Sequence, residues 1–205
     1  LMPTIQRLEG AKSIDDLMAY VFVECQYGGS FLAYCGFSTD EKDAKNHILN
    51  IYQGGLSLGH RDYNVNKVEP TLEIMKAYRE HIVKMFRFFG FSEQAARDRM
   101  ERILSLENRI AETSLSATEL RDVEANYNKM SVADFRKTYP SFPLDGLMKA
   151  KGINEKYYQH LVLGQPKFMA GLNAILKDIN VDDLRAKLEW DAINEASDVL
   201  GDAVA

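Results

Sequence analysis

Four histidines are the first residues to weigh for chemistry: His47, His60, His81 and His160. A zinc-peptidase helix presents two histidines at i and i+4 with a Glu beside the first, which sets both imidazoles on one face, about 2.1 Å from a single ion. No two of these histidines stand four residues apart; Glu80 precedes His81, and Met85 occupies the place of a second ligand. The sequence therefore offers no zinc helix, and no metal ligand is assigned. Asp40, Asp43 and Asn46 lie close together, but a calcium loop needs a denser ligand series closed by a bidentate Glu. Turn and capping chemistry accounts for them better. Ser, His and Asp occur without any spacing that argues for a nucleophile triad, and there is no glycine loop for phosphate. No catalytic residue is assigned.

The triplet Arg61-Asp62-Tyr63 follows a Gly-rich stretch, Gly54-Gly55 and Gly59. Arg61 could grip a carboxylate through two parallel hydrogen bonds, which makes it the candidate for substrate contact. The favoured reading is structural: Arg61, Asp62 and Tyr63 form a loop, with the guanidinium pairing Asp62 or nearby carbonyls at a cost on loss of about 1.5–3 kcal/mol. Asn126-Tyr127-Asn128 is read as a polar turn ahead of Ser131 rather than as a pair of substrate-binding amides. Cys25 and Cys35 fit one bridge or two buried thiols, and both readings stay open.

A chain of 205 residues with 46% hydrophobic and 27% charged content is ordinary for a globular protein. It is read as a single domain, 1–205. The net charge of -5, with no basic run, argues against a nucleic-acid partner. No stretch approaches the about 20 apolar residues that span a bilayer, and no signal peptide is present. The chain opens on Leu1 with Met2 behind it, which suggests a missing native N-terminus.

The elements that must position these residues are mostly helical. Ser13 with Asp16 forms a capping-box start for a helix whose apolar face is Ile14, Leu17, Met18, Val21 and Phe22, stopped by Gly28-Gly29. Phe31–Phe37 and Ile48–Tyr52 lack a helical period and read as two strands paired across a turn near Thr39–Lys45. From Pro70, the stripe Leu72, Met75, Tyr78, Ile82, Met85 and Phe89 marks a helix ended by Gly90. Ser92 opens the next, with Ala96, Met100, Ile103, Leu106 and Ile110 inward. The short connection makes these two an antiparallel helical hairpin. Thr118–Met130 is irregular, Ser131 caps a short helix, and Pro140 and Pro143 bracket a turn before another. Tyr157–Leu163 reads as an isolated strand or extended arm, and Gln165-Pro166 opens a helix through Leu176. Asp182–Leu200 reads as a strongly amphipathic final helix with Leu184, Leu188, Ala192, Ala196 and Val199 inward. The fold class is mainly α, a helical domain with a long helical hairpin and a small two-stranded β element.

The stretch Gly36 to Asn64, GFSTDEKDAKNHILNIYQGGLSLGHRDYN, resembles a signature in the non-catalytic N-terminal region of neprilysin-like zinc metallopeptidases. Further landmarks match in the same order over nearly the whole chain: Tyr127-Asn128-Lys129-Met130 before Ser131, Phe142-Pro143, Gln165-Pro166-Lys167-Phe168 and Leu188-Glu189-Trp190. The chain departs from the pattern at Gly59, which stands where the family has Pro, at His60, and at Asn64, which replaces the second Tyr of a pair. These departures suit a divergent bacterial member. The resemblance implies a segment of a larger, extracytoplasmic zinc endopeptidase or oligopeptidase, periplasmic, cell-surface or secreted. The zinc would belong to the parent's catalytic lobe, and no catalytic residue of the family maps onto this chain. The implied role is chamber wall: the helical lobe closes over the catalytic lobe of the same polypeptide and encloses peptide substrates. A segment cut from such an enzyme is expected to be inactive alone and to self-associate over its exposed apolar surface. The rival readings are a free-standing helical protein-binding or ligand-binding module.

Overall fold

The computed structural model describes residues 1–196. Pro3 sits in the first turn of a helix that sequence reading missed, α1 (Met2–Gly10), which buries Ile5 and Leu8. Helix α2 (Ile14–Gln26) starts at the expected capping box: Ser13 Oγ accepts from the Asp16 amide at 3.1 Å, and Asp16 accepts from the Ser13 amide at 3.1 Å. Next come strands β1 (Ala33–Asp40) and β2 (Asp43–Gln53), an antiparallel pair whose turn is only Glu41-Lys42. The strands thus run longer, and the turn is tighter, than the Thr39–Lys45 connection expected.

A short helix, α3 (Asp62–Val65), leads to α4 (Thr71–Phe88) and α5 (Glu93–Thr113), the expected antiparallel hairpin. Ser92 caps α5 by accepting from the Ala95 amide at 3.2 Å. All five expected inward residues of α5 are buried. On α4, Tyr78, Ile82 and Met85 are buried as expected, while Leu72 lies exposed. Strand β3 (Asn128–Ser131) and helix α6 (Val132–Thr138) follow, the latter capped by Ser131, then α7 (Leu144–Ala150). Strand β4 (His160–Leu163), helix α8 (Pro166–Asp178) and helix α9 (Val181–Ala196) complete the order.

The β element is larger than the two strands expected. Its order is β1-β2-β4-β3, with β4 parallel to β2 and antiparallel to β3. Tyr157–Leu163 is therefore not an isolated arm: Leu161, Val162 and Leu163 pair with Leu49, Asn50 and Ile51. Asn128, read as part of a turn, instead opens β3 opposite Leu163. Four-residue strands carry too little period to be seen in sequence, and a parallel partner more than 100 residues away leaves no local trace.

Two apolar clusters form the interior. One gathers the sheet with α2, α6, α7 and α8; the other gathers α4, the first half of α5 and the Trp190 end of α9. Helices α5 and α9 belong to both: Leu106, Ile110, Leu184 and Leu188 face the first, and Ile103, Leu104, Ala186 and Trp190 the second. This corrects the expected amphipathic final helix. Six of the seven positions from Leu184 to Trp190 are buried, all but half-buried Arg185, which places buried residues around α9 on all sides, while Ala192 and Ala196 are half-exposed. Val199 and Leu200 lie outside the described residues.

Candidate functional site

The loop that carries Arg61 begins where β2 ends. Gly55 adopts φ +81°, a left-handed conformation that L side chains rarely adopt, and a Cβ there would stand 3.1 Å from the Leu32 carbonyl. The chain then turns so that Gly59 donates to the Leu56 carbonyl at 3.0 Å. Arg61 precedes α3, and its carbonyl accepts from the Asn64 and Val65 amides at 2.9 and 3.1 Å. Its Nε is buried without a hydrogen-bond partner, and its charge acts on Glu119. Tyr63 and Asp62 are half-buried on α3. Asn64, beyond the triplet, joins α3 to α5 through Asn108 at 3.2 Å.

The stronger anchor of the loop is Ser57, which sequence reading did not single out. Its hydroxyl donates to Glu107 Oε1 at 2.5 Å and its amide to the same oxygen at 3.3 Å. Glu107 also accepts from the Tyr78 hydroxyl at 3.2 Å and from Lys187 Nζ at 3.0 Å. Trp190 Nε1 donates to Ser57 Oγ and Tyr78 Oη at 3.1 and 2.9 Å, and Lys187 reaches Asp191 at 2.5 Å. One network thus ties the loop, α4, α5 and α9 together in the interior, where an unpaired charge would be costly. Desolvation alone would lower the Lys187 pKa, but the Asp191 and Glu107 carboxylates outweigh it and hold the amine above the ordinary lysine range. A lysine locked as ammonium is a poor nucleophile or general base, which need the neutral amine. The network fixes structure rather than performing a reaction. Its sequence trace was slight: Glu107 interrupts the apolar stripe of α5, and Lys187-Asp191 has i, i+4 spacing.

Asp40 closes the far end of the hairpin. Its buried carboxylate accepts from Lys129 Nζ at 2.8 Å, Tyr127 Oη at 2.7 Å and the Lys42 amide at 3.0 Å. The Lys129 and Tyr127 bonds push its pKa down to about 2. Asn46 donates to Asp43 at 2.7 Å within the same turn region. Asn126 bonds the Glu119 and Asp122 carbonyls, and Asn128 bonds the Leu163 carbonyl at 3.1 Å. Gln165 accepts from the Gln53 amide at 2.8 Å and donates to Asn126 at 2.8 Å. These amides hold strands and loops in place. Cys25 and Cys35 are free thiols, Cys25 buried, with both pKa values raised by burial.

The histidines lie apart from one another in role. His47, His60 and His160 are exposed, and His81 packs edge-on against Trp190 with ring centroids 5.7 Å apart. Among the described residues, no group of three His, Cys, Asp or Glu side chains could hold a metal ion. A zinc ion therefore does not fit the described residues. No helix among the described residues is long and apolar enough to cross a membrane.

A family model described as Peptidase family M13 matches residues 1–205. Neprilysin-3 of Drosophila melanogaster is 25% identical over 170 residues, covering 78% of this chain and 22% of that protein. Endothelin-converting enzyme 1 of Homo sapiens is 24% identical over 213 residues, covering 98% of this chain and 27% of that protein. The chain thus spans about a quarter of the length of these relatives. Among solved structures, the zinc metalloprotease Zmp1 of Mycobacterium tuberculosis in complex with an inhibitor shares the fold, with a TM-score of 0.89 at 22% identity over 98% of this chain and 31% of that one. PepO from Lactobacillus rhamnosis superposes with a TM-score of 0.79 at 15% identity, over 99% of this chain and 32% of that one.

Proposed function

Because the chain belongs to peptidase family M13, we propose that it is a single helical domain that walls the substrate chamber of a neprilysin-like zinc metalloendopeptidase. In this reading it supplies no catalytic group. The observation that carries it is the lopsided coverage of Zmp1, 98% of this chain against 31% of that zinc metalloprotease. A domain so matched has its counterpart within a longer enzyme, whose remaining two-thirds leaves room for a catalytic lobe. The partners are then the catalytic lobe of the same polypeptide and, within the chamber, peptides. Zinc belongs to that lobe. The working location is extracytoplasmic, as in a bacterial secreted, periplasmic or surface peptidase.

Two measurements test this. The chain alone, dialysed and assayed for metal and for hydrolysis of a quenched peptide, should hold no stoichiometric zinc and cleave nothing. The reading frame downstream in the gene should encode a His-Glu-x-x-His helix. One tightly bound zinc per chain, or peptide cleavage by the chain alone, overturns the scaffold reading. A downstream frame without that motif favours a free-standing binding module.

A further inference from the structure

From Ala33 to Thr39, strand β1 carries no charged residue and no proline. It forms one of the two edges of the sheet. The Ile51 carbonyl accepts from the Gly164 amide at 2.9 Å, so Ile51 faces β4 and not β1. Opposite residues of an antiparallel pair alternate between bonded and non-bonded. Cys35, opposite Ile51, therefore stands in a non-bonded pair, and so do Phe37 opposite Leu49 and Thr39 opposite His47. The amides and carbonyls of these three residues point out of the sheet edge. Among the described residues, no hydrogen bond outside the hairpin reaches them. Natural sheets guard such an edge with charge, proline or brevity. The other edge, β3, is guarded: it has 4 residues and carries Lys129. Strand β1 has no such guard before Asp40.

We propose that a second copy of this chain covers this edge, β1 pairing antiparallel with its twofold-related counterpart about Gly36. The Tyr34 ring, 53% exposed, lies over Gly36, where a Cβ would stand 2.5 Å from Tyr34 Oη. With Gly36 opposite its own counterpart, the two Tyr34 rings come together beside the axis on one face of the joined sheet. Each is backed by a stacked Tyr52, ring centroids 6.2 Å apart. In that register Cys35 faces the counterpart of Phe37, and the two exchange their outward amides and carbonyls. The alternation that leaves these groups free in one chain satisfies them in two. A net charge of -5 opposes association in general, but Ala33 to Thr39 bring no charge to be buried at the seam. Because β3 is guarded, β1 of one copy does not pair with β3 of another, and the assembly closes as a dimer instead of growing into a fibre. A seam about 23 Å long and 10 Å deep buries far less than the about 1,200 Å² of a stable interface, so the dimer is weak and reversible. Nothing in this pairing uses substrate or the catalytic lobe, so it stands apart from the chamber reading.

Sedimentation equilibrium and amide hydrogen exchange of the chain, from about 10 μM to about 1 mM, test it. A monomer–dimer equilibrium is expected, with a dissociation constant of about 0.1–1 mM. The Cys35, Phe37 and Thr39 amides should exchange more slowly as concentration rises. In a mixture of labelled and unlabelled copies, an isotope-filtered contact between the Gly36 α-hydrogens of the two copies is expected at the axis. Tyr34→Lys sets like charges beside the axis and should weaken the dimer about tenfold. Thr39→Pro removes one outward donor, leaves the ladder to β2 intact, and should weaken it about threefold. Both residues are exposed, so both variants should keep the parent's Trp190 fluorescence, and either one alone decides if the other fails to fold. A single species of monomer mass at the highest concentration, a dimer unchanged by the folded variants, or exchange independent of concentration would each overturn the proposal. So would protection of the same amides in the dilute monomer by a neutral hexapeptide of alternating threonine and valine, which would assign the edge to a peptide instead.

Discussion

Lys187 and Glu107 meet at 3.0 Å with 1% of each side chain exposed, on the two helices shared by both apolar clusters. The pair sits where α5 and α9 cross from one cluster to the other. It is completed by Ser57 from the loop, Tyr78 from α4 and Asp191 from α9.

Removing one partner should be severe. Lys187→Met leaves Glu107 buried and uncompensated, a loss of about 3–5 kcal/mol. Adding Glu107→Gln should recover part of that, because the two changes act on one network. Urea unfolding of the two single variants and the double checks this. Additive losses would show that the pair is not coupled.

Lys187 also sets an alkaline limit. Its folded pKa lies above the unfolded value of about 10.4, so its contribution is complete below that pH and fades as pH rises beyond it. The stability of the parent should fall more steeply above about pH 10 than that of the Lys187→Met/Glu107→Gln variant. Thermal melts across that range read the difference, and parallel curves would contradict the assignment.

Asp40 governs the acid side. Its carboxyl falls from an ordinary 3.8 to about 2 in the folded chain, so its stabilisation is present above 3.8 and lost as pH drops toward 2. Asp40→Asn should flatten the acid limb of a pH–stability curve between those values. An unchanged acid limb would place the acid sensitivity elsewhere.

Ser57 should matter more for folding than Arg61. Ser57→Ala strips hydrogen bonds from Glu107, Trp190 and Lys187 and should cost about 1–3 kcal/mol. Arg61→Ala removes a side chain whose buried Nε is already unpaired, and should cost under about 1 kcal/mol. We propose that Arg61 is then free to meet a peptide carboxylate in a longer enzyme. A Michaelis constant raised for free-acid but not amidated peptides would support that, and an Arg61→Ala loss larger than the Ser57→Ala loss would favour the structural role instead.

Gly171 is a spacer between α8 and α5. A Cβ there would stand 2.1 Å from Thr113 Cγ2 and 2.4 Å from Thr113 Cβ, and the second atom cannot rotate away. Gly171→Ala should destabilise by about 1–3 kcal/mol through overpacking. Combining it with Thr113→Gly should relieve much of the strain. A neutral Gly171→Ala in denaturant melts would mean that the helices separate freely.

Local chemistry was legible without a structure. The three serine caps, the helical hairpin and the inward stripe of α5 follow from propensity and period over one stretch of chain, so Ser13, Ser92 and Ser131 could be read where they stand. The ordered landmarks from Gly36 to Trp190 likewise identified the family. What joined distant segments was not legible. The pairing of β4 with β2, the buried pair Lys187–Glu107 and the Asp40–Lys129 contact each link residues about 80 or more positions apart. A lysine in a helix reads as a solvated face until a carboxylate from another helix is brought against it. Only the packing of α5 and α9 between two apolar clusters decided that this one is buried, because burial is set by what surrounds a helix rather than by the helix itself.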